Sequence, residues 1–252
     1  MSLSALPLFA NLSLQAMAFF FISAFIVGFS KTSVGGIGIL AVVLMALAFP
    51  GKASPGILLP MLIIADIVAV IYYRRSCQWG VIARIFPLTA VGVLIGYFIV
   101  DSVDQEVFET ALGLVILAML GLSLLIEKQG LNLGSNPAFT IASGLMAGVA
   151  TMMGNAAGPI FGIYLLQMGL SKSAFVGTRS WFFLLINLFK IPFSANLGLI
   201  TRDTLALDLA ALPAILIGAF AGYQFLKLIN LDLFKWLIRL AVLAAAIRLI
   251  FY

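Results

Sequence analysis

Apolar residues run along this chain in long blocks separated by glycine, proline or charge. The blocks fall at about 14–30, 36–49, 55–74, 80–100 and 105–126, then at about 138–153, 157–169, 174–197, 204–226 and 231–252. About 20 apolar residues cross a bilayer as a helix, so the pattern predicts an all-α integral membrane protein. A polar linker, Glu127–Asn136, separates the two sets.

The sets match each other. Ser23 and Gly28 align with Ser143 and Gly148 at an offset of 120, which also carries Gly38 onto Gly158. Pro87, Gly92, Gly96 and Tyr97 align with Pro213, Gly218, Gly222 and Tyr223 at an offset of 126. One register shared by a proline, two glycines and a tyrosine predicts a duplication, with repeats at 1–129 and 130–252 forming one transport unit. Internal repeats of this kind mark transporter folds.

The first two blocks of each set are short. Residues 14–28 and 36–49 would be roughly 21–23 Å long each at 1.5 Å per residue, against about 30 Å of hydrocarbon. A hairpin that enters and returns to one face is expected, with its tip inside the membrane. Loop charge agrees. With re-entrant hairpins, one face collects Arg74, Arg75, Arg84, Lys128, Lys172, Lys227 and Lys235, and the other collects Asp101, Asp104, Glu106, Glu109, Asp203 and Asp208, beside Lys52, Arg202 and Arg248. That is a positive-inside bias. The predicted fold is therefore two inverted repeats, each a re-entrant broken-helix hairpin plus three transmembrane helices, with both termini outside.

Composition narrows the class. The 252 residues are 63% hydrophobic and 9% charged, with mean hydropathy +1.21. A soluble domain is roughly 25% charged. The net charge of +5 is read as cytoplasmic loop charge rather than a nucleic-acid surface. Met1–Leu14 lacks the basic start of a signal peptide, so the first block is expected to be retained. One cysteine, Cys77, and no histidine make zinc or thiol–imidazole chemistry very unpromising. No pair of intramembrane carboxylates is expected, so an enzyme is not expected and no cofactor is implied.

Candidate chemistry lies at the breaks. Gly28–Gly38 contains Ser30, Lys31, Thr32, Ser33, Gly35 and Gly36, and its counterpart Gly148–Pro159 contains Thr151, Gly154, Asn155 and Ala156. A helix starting after each break presents free N–H groups and the positive end of its dipole. Two such ends would form an anion site; close packing through small residues is the structural alternative. Lys31 is expected to bind an anion or to form an ion pair. In 174–197, at 100° per residue, Arg179, Lys190, Phe183 and Asn187 fall at about 0°, 20°, 40° and 80°, with Thr178 on the adjoining surface. Asn187 is the most central and is expected to line a pathway. Asp66, mid-block, is a salt-bridge partner for Lys31 or Lys190, or a proton-coupling group. Tyr72, Tyr73, Trp79, Trp181 and Trp236 read as interface anchors.

This ordered set resembles the sulfite exporter TauE/SafE family. The resemblance is carried by Gly28, Gly35, Gly36 and Gly38; by Pro50 and Pro55; by Tyr72-Tyr73-Arg74-Arg75 with Trp79; and by Pro87, Gly92 and Gly96. In the second half it is carried by Gly144, Gly148, Gly154, Gly158-Pro159, Gly177-Thr178-Arg179, Phe182-Phe183, Asn187 and Lys190-Ile-Pro192. It implies a multi-pass transporter of sulfite, organosulfonates and related anions in the cytoplasmic membrane. The chain departs from that pattern at Thr32-Ser33-Val34 and Asn155-Ala156-Ala157. The expected partners are a small anion and the lipid bilayer, with homo-oligomerisation left open. In this reading, break N–H groups, Ser33 and Asn155 hold anionic oxygens, and Lys31 or Arg179 supplies charge. A cation- or proton-coupled transporter or channel using Asp66 is the alternative.

Overall fold

The computed structural model describes residues 13–33, 37–49, 53–99 and 133–251, with scattered positions between 102 and 125. Among these residues the chain forms helices and no strand. They are α1 (Leu14–Thr32), α2 (Gly38–Ala48), α3 (Ala53–Tyr73), α4 (Trp79–Ile99), α5 (Pro137–Gly154), α6 (Ala157–Leu166), α7 (Lys172–Asn196), α8 (Arg202–Leu228) and α9 (Leu231–Phe251). Most of the expected block 105–126 lies outside the described residues, as do Gly35 and Gly36.

Helix starts follow from local chemistry. Ser13 accepts a hydrogen bond from Ala16 N, Ser171 from Ala174 N, and Asn136 from the N–H groups of Ala138 and Phe139. Pro137 stands in the first turn of α5, where its missing N–H costs nothing. Thr201 and Thr204 form a reciprocal capping box at α8.

Six helices among the described residues, α1, α3, α4, α5, α7 and α8, are long and apolar enough to cross a membrane. Their outer surface fits lipid: Phe98, Leu209, Ile217 and Phe220 are 76%, 71%, 62% and 56% exposed. Isolated exposed apolar side chains are ordinary on a soluble surface, but here they accompany a chain with few charges to spare.

The broken elements differ in one respect from the expected hairpins. α1 and α5 run to 19 and 18 residues, about 28 and 27 Å. Only the returning arms are short: α2 has 11 residues and α6 has 10, about 16 and 15 Å. Gly28 and Gly148 do not interrupt their helices. They admit neighbours. A Cβ on Gly28 would stand 2.0 Å from Ile215 O, and one on Gly218 would stand 2.1 Å from Phe25 O. Likewise a Cβ on Gly148 would stand 2.2 Å from Thr89 O, and one on Gly92 would stand 2.2 Å from Leu145 O. Close packing through small residues thus accounts for these four glycines. It makes two like crossings, α1 on α8 and α5 on α4.

The buried apolar side chains fall into two clusters. One joins α1, α2, α3 and α8 through Phe20, Val27, Met45, Leu58 and Ile215. The other joins α4, α5, α6, α7 and α9 through Ile85, Ala147, Phe161, Phe183 and Ile238, and also takes in Tyr73 at the end of α3 and Leu226 at the end of α8. Asp208 is 2% exposed in the second turn of α8, which begins at Arg202.

Candidate functional site

The site is organised by α7, which brings three cations to three helix ends. Lys172, Arg179 and Lys190 are spaced by seven and eleven residues, which at 100° per residue puts them within about 20° of one another. Arg179 Nη2 donates to the carbonyls of Ser30, Lys31 and Ser33 at 2.6, 2.9 and 3.3 Å, closing the C-terminus of α1. Lys190 Nζ donates to Thr151 O at 2.6 Å, to Thr151 Oγ1 at 3.2 Å and to Asn155 Oδ1 at 2.7 Å, closing α5. Lys172 Nζ donates to Leu226 O at 3.0 Å and to Ile229 O, closing α8. A helix C-terminus carries roughly half a negative charge and unsatisfied carbonyls, so each cation meets a fixed partner.

Lys31 sits in the last turn of α1 rather than in a loop. Its Nζ lies 2.8 Å from Asp66 Oδ1 and 2.9 Å from Oδ2, and also 4.4 Å above the Phe183 ring. The contact at Oδ2 is aligned as a hydrogen bond, and that at Oδ1 is the closer ionic contact. Asn187 Nδ2 donates to Oδ2 at 2.9 Å. Asp66 is fully buried, so these two donors replace its water.

Asn155 occupies the second break in the left-handed region, at φ 54°. Asparagine tolerates this conformation better than most residues. Its Oδ1 holds Lys190, and its Nδ2 donates to Pro55 O at 3.3 Å, tying the break to α3.

Between the two apolar clusters lies a cavity offering about 60 Å³ to the centre of a water-sized sphere. At about 10–15 Å³ for one such position, that is room for a handful of heavy atoms. Its polar lining is Ser30, Lys31, Thr151, Asn155, Arg179 and Asn187. Gly38, Ala156, Gly158 and Pro159 also line it, so both returning helices α2 and α6 present their N-terminal ends there. Neither N-cap residue, Ile37 or Ala156, turns a side-chain cap onto its helix. Arg179 Nε and Nη1 and Asn187 Oδ1 are buried without a partner.

Of the expected residues, Lys31, Asn155, Ala156, Arg179 and Asn187 meet at this cavity. Asp66 and Lys190 stand behind it, each holding a lining residue. Thr32 instead donates to Ala219 O at 2.7 Å in the α1–α8 crossing, and Ser33 to Phe29 O at 2.5 Å. Thr178 accepts from Gln78 N at 2.9 Å, beside Cys77, whose thiol burial pushes up to about 11 against its hydrogen bond with Thr178. Gly154 does not line the cavity, and Gly35 and Gly36 are outside the described residues. Ser30, Thr151 and Phe183 line the cavity without having been singled out as site residues; their positions one helical turn or less from Lys31, Asn155 and Arg179 were the available signal.

The sulfite exporter TauE/SafE family model matches residues 20–249, nearly the whole chain. The chain belongs to the TauE/SafE family. Its members are membrane transporters, not enzymes, and the family assignment with six apolar helices makes this chain a multi-pass membrane protein. Neither a search of curated proteins nor one of solved structures returned a match.

Proposed function

We propose that this TauE/SafE protein carries a small sulfur oxyanion or sulfonate through the cavity between its two helix breaks. The observation that carries this reading is the sign of the lining: among the described residues its charged side chains, Lys31 and Arg179, are both cations, and no carboxylate lines the cavity. Two helix N-termini add roughly half a positive charge each. The size of the cavity accommodates a sulfite or a one-carbon sulfonate. Arg179 would offer its unpartnered Nε and Nη1, and Lys31 its ammonium. Asn155, Asn187 and the N–H groups of α2 and α6 would hold the remaining oxygens.

Alternating access is read here as relative motion of the two apolar clusters, with the cavity at their junction. Each cluster combines helices from both proposed repeats, 1–129 and 130–252, so the moving bodies would not be the repeats themselves. Support for inversion comes from α7: Arg179 and Lys190 are eleven residues, about 16 Å, apart along it. The ends of α1 and α5 thus reach it at different depths, as oppositely entering helices would. Against the cation reading stands the fact that Lys31 and Asn187 already occupy Asp66.

Gly158→Leu tests the reading. A Cβ there meets nothing within 4 Å, and the position lines the cavity, so the larger side chain should enter the cavity rather than the packing. The variant is expected to keep its melting temperature and lose both stabilisation by sulfite or methanesulfonate and their uptake into proteoliposomes. Wild-type protein that neither binds nor moves these anions overturns the proposal.

A further inference from the structure

The Lys31–Asp66 pair has a geometry that links an arriving anion to a proton. Lys31 lines the cavity, and its ammonium is held by Asp66. Asp66 does not line the cavity; it is reached through Lys31 and Asn187. An anion taking Lys31 as its counter-ion therefore draws on the charge that balances a fully buried carboxylate. An uncompensated carboxylate in this setting is strongly disfavoured, and the simplest remedy is neutralisation by a proton.

We propose that Asp66 is the proton-binding site of this transporter, occupied when the anion is bound and vacated when it leaves. This inference rests on the anion reading of the same cavity. In the empty site, Lys31 as ammonium pairs with Asp66 as carboxylate. As the anion enters, the Lys31 ammonium transfers a proton to Asp66 Oδ1, 2.8 Å away, and is reprotonated from the cavity side by an acid of the bulk solution, hydronium or buffer, relayed through water. The bond broken is Nζ–H and the bond formed is O–H. The net change is one proton gained with one anion. Asn187 holds Oδ2, so a proton on Oδ1 displaces no donor other than Lys31 itself.

Asn187 serves both states. As seen, its Nδ2 donates to the carboxylate at 2.9 Å, while its Oδ1 is buried without a partner. With the proton on Oδ1, Nδ2 goes on donating to Oδ2, so the amide holds the carboxyl in both states.

The surroundings single out this carboxyl. Lys31 faces Asp66 from α1, and Arg179 acts on it from α7 beside Asn187. α2 carries no ionisable side chain. No described side chain of α8 makes a polar contact with it. Lys190 is engaged by Thr151 and Asn155 at the other break. Asp66 is thus the acidic group in contact with the cavity's cations among the described residues.

The test uses methanesulfonate, whose own charge does not change with pH, whereas sulfite titrates near neutrality. Calorimetry of the purified protein in two buffers of different ionisation enthalpy counts protons taken up per anion bound. The expected count is about one, with affinity tightening by up to about tenfold for each unit fall in pH, as linkage requires. In proteoliposomes an inward proton gradient should drive accumulation. Asp66→Asn is purified with the anion present, because it leaves Lys31 without its carboxylate. It should bind with no proton uptake and no response to the gradient, and Asp66→Glu should restore both. Binding by wild-type protein without proton uptake, or gradient-driven accumulation in Asp66→Asn, overturns this inference alone. Absence of any anion binding by wild-type protein overturns the reading of the cavity and this inference with it. If Asp66→Asn does not fold, the proton count on wild-type protein decides the matter.

Discussion

Arg179 and Lys190 project from one face of α7 and close the carbonyl ends of two different helices, α1 and α5. One helix therefore fixes where both broken segments stop. Replacing Lys190 by methionine keeps the length of the side chain and removes its donors. Thr151 O and Asn155 Oδ1 then lose a buried partner. A loss of about 1–3 kcal/mol is expected, read as a lower midpoint in detergent unfolding. An unchanged midpoint would mean that water replaces the ammonium.

Asn155 gives a sharper contrast. At φ 54° glycine is unstrained, whereas alanine pays for its Cβ. Both substitutions remove the side-chain contacts to Lys190 and Pro55. Asn155→Ala should therefore be less stable than Asn155→Gly by about 1 kcal/mol. Equal midpoints for the two variants would show that the backbone relaxes at this break.

The crossing glycines separate packing from flexibility. Gly28→Ala puts a Cβ 2.0 Å from Ile215 O, and Gly148→Ala puts one 2.2 Å from Thr89 O, both against backbone. Each should abolish the monodisperse folded species on size-exclusion chromatography. Gly80→Ala, where nothing lies within 4 Å, should elute as wild type.

Lys31 and Asp66 form a buried pair whose members are unequal alone and together. Lys31→Met leaves an uncompensated carboxylate and should cost about 3–5 kcal/mol. Lys31→Met combined with Asp66→Asn removes both charges and should recover most of that loss. A double-mutant cycle of unfolding midpoints measures the coupling; additive effects would deny it.

The Cys77 thiol, held up at about 11 by burial, should react slowly with maleimide. Only the thiolate attacks, and about one part in a thousand is ionised at pH 8. The labelling rate should rise about tenfold per pH unit up to pH 10. A rate that levels off by pH 9 would contradict the shift.

The helices were legible because lipid imposes a coarse rule: about 20 apolar residues make a span. The described helix limits agree with the expected blocks to within a few residues. The breaks were placed less well. A glycine such as Gly28 signals either a helix end or a close neighbour, and the partner that decides the matter, Ile215, is 187 residues away. The cations of α7 were visible as a stripe with Asn187, but their targets were not, since a backbone carbonyl leaves no trace in a sequence. Thr178 and Thr32 show the same blindness in reverse: polar residues beside the site whose hydrogen bonds turn elsewhere. The Lys31–Asp66 pair was foreseeable because lone charges in apolar blocks need each other.

The two glycine crossings also set a timetable. Thr89, Gly92, Leu145 and Gly148 are within 60 residues of one another, so α5 can dock on α4 while the ribosome is still at work. Gly28 must wait for Ile215 and Ala219. At about 5–20 residues per second, that leaves α1 in the bilayer for roughly ten to forty seconds with its notch empty. A passing helix of another protein, or of a second nascent copy, meets an open berth during that interval. The helix made earliest among those described is thus among the last to find its partner.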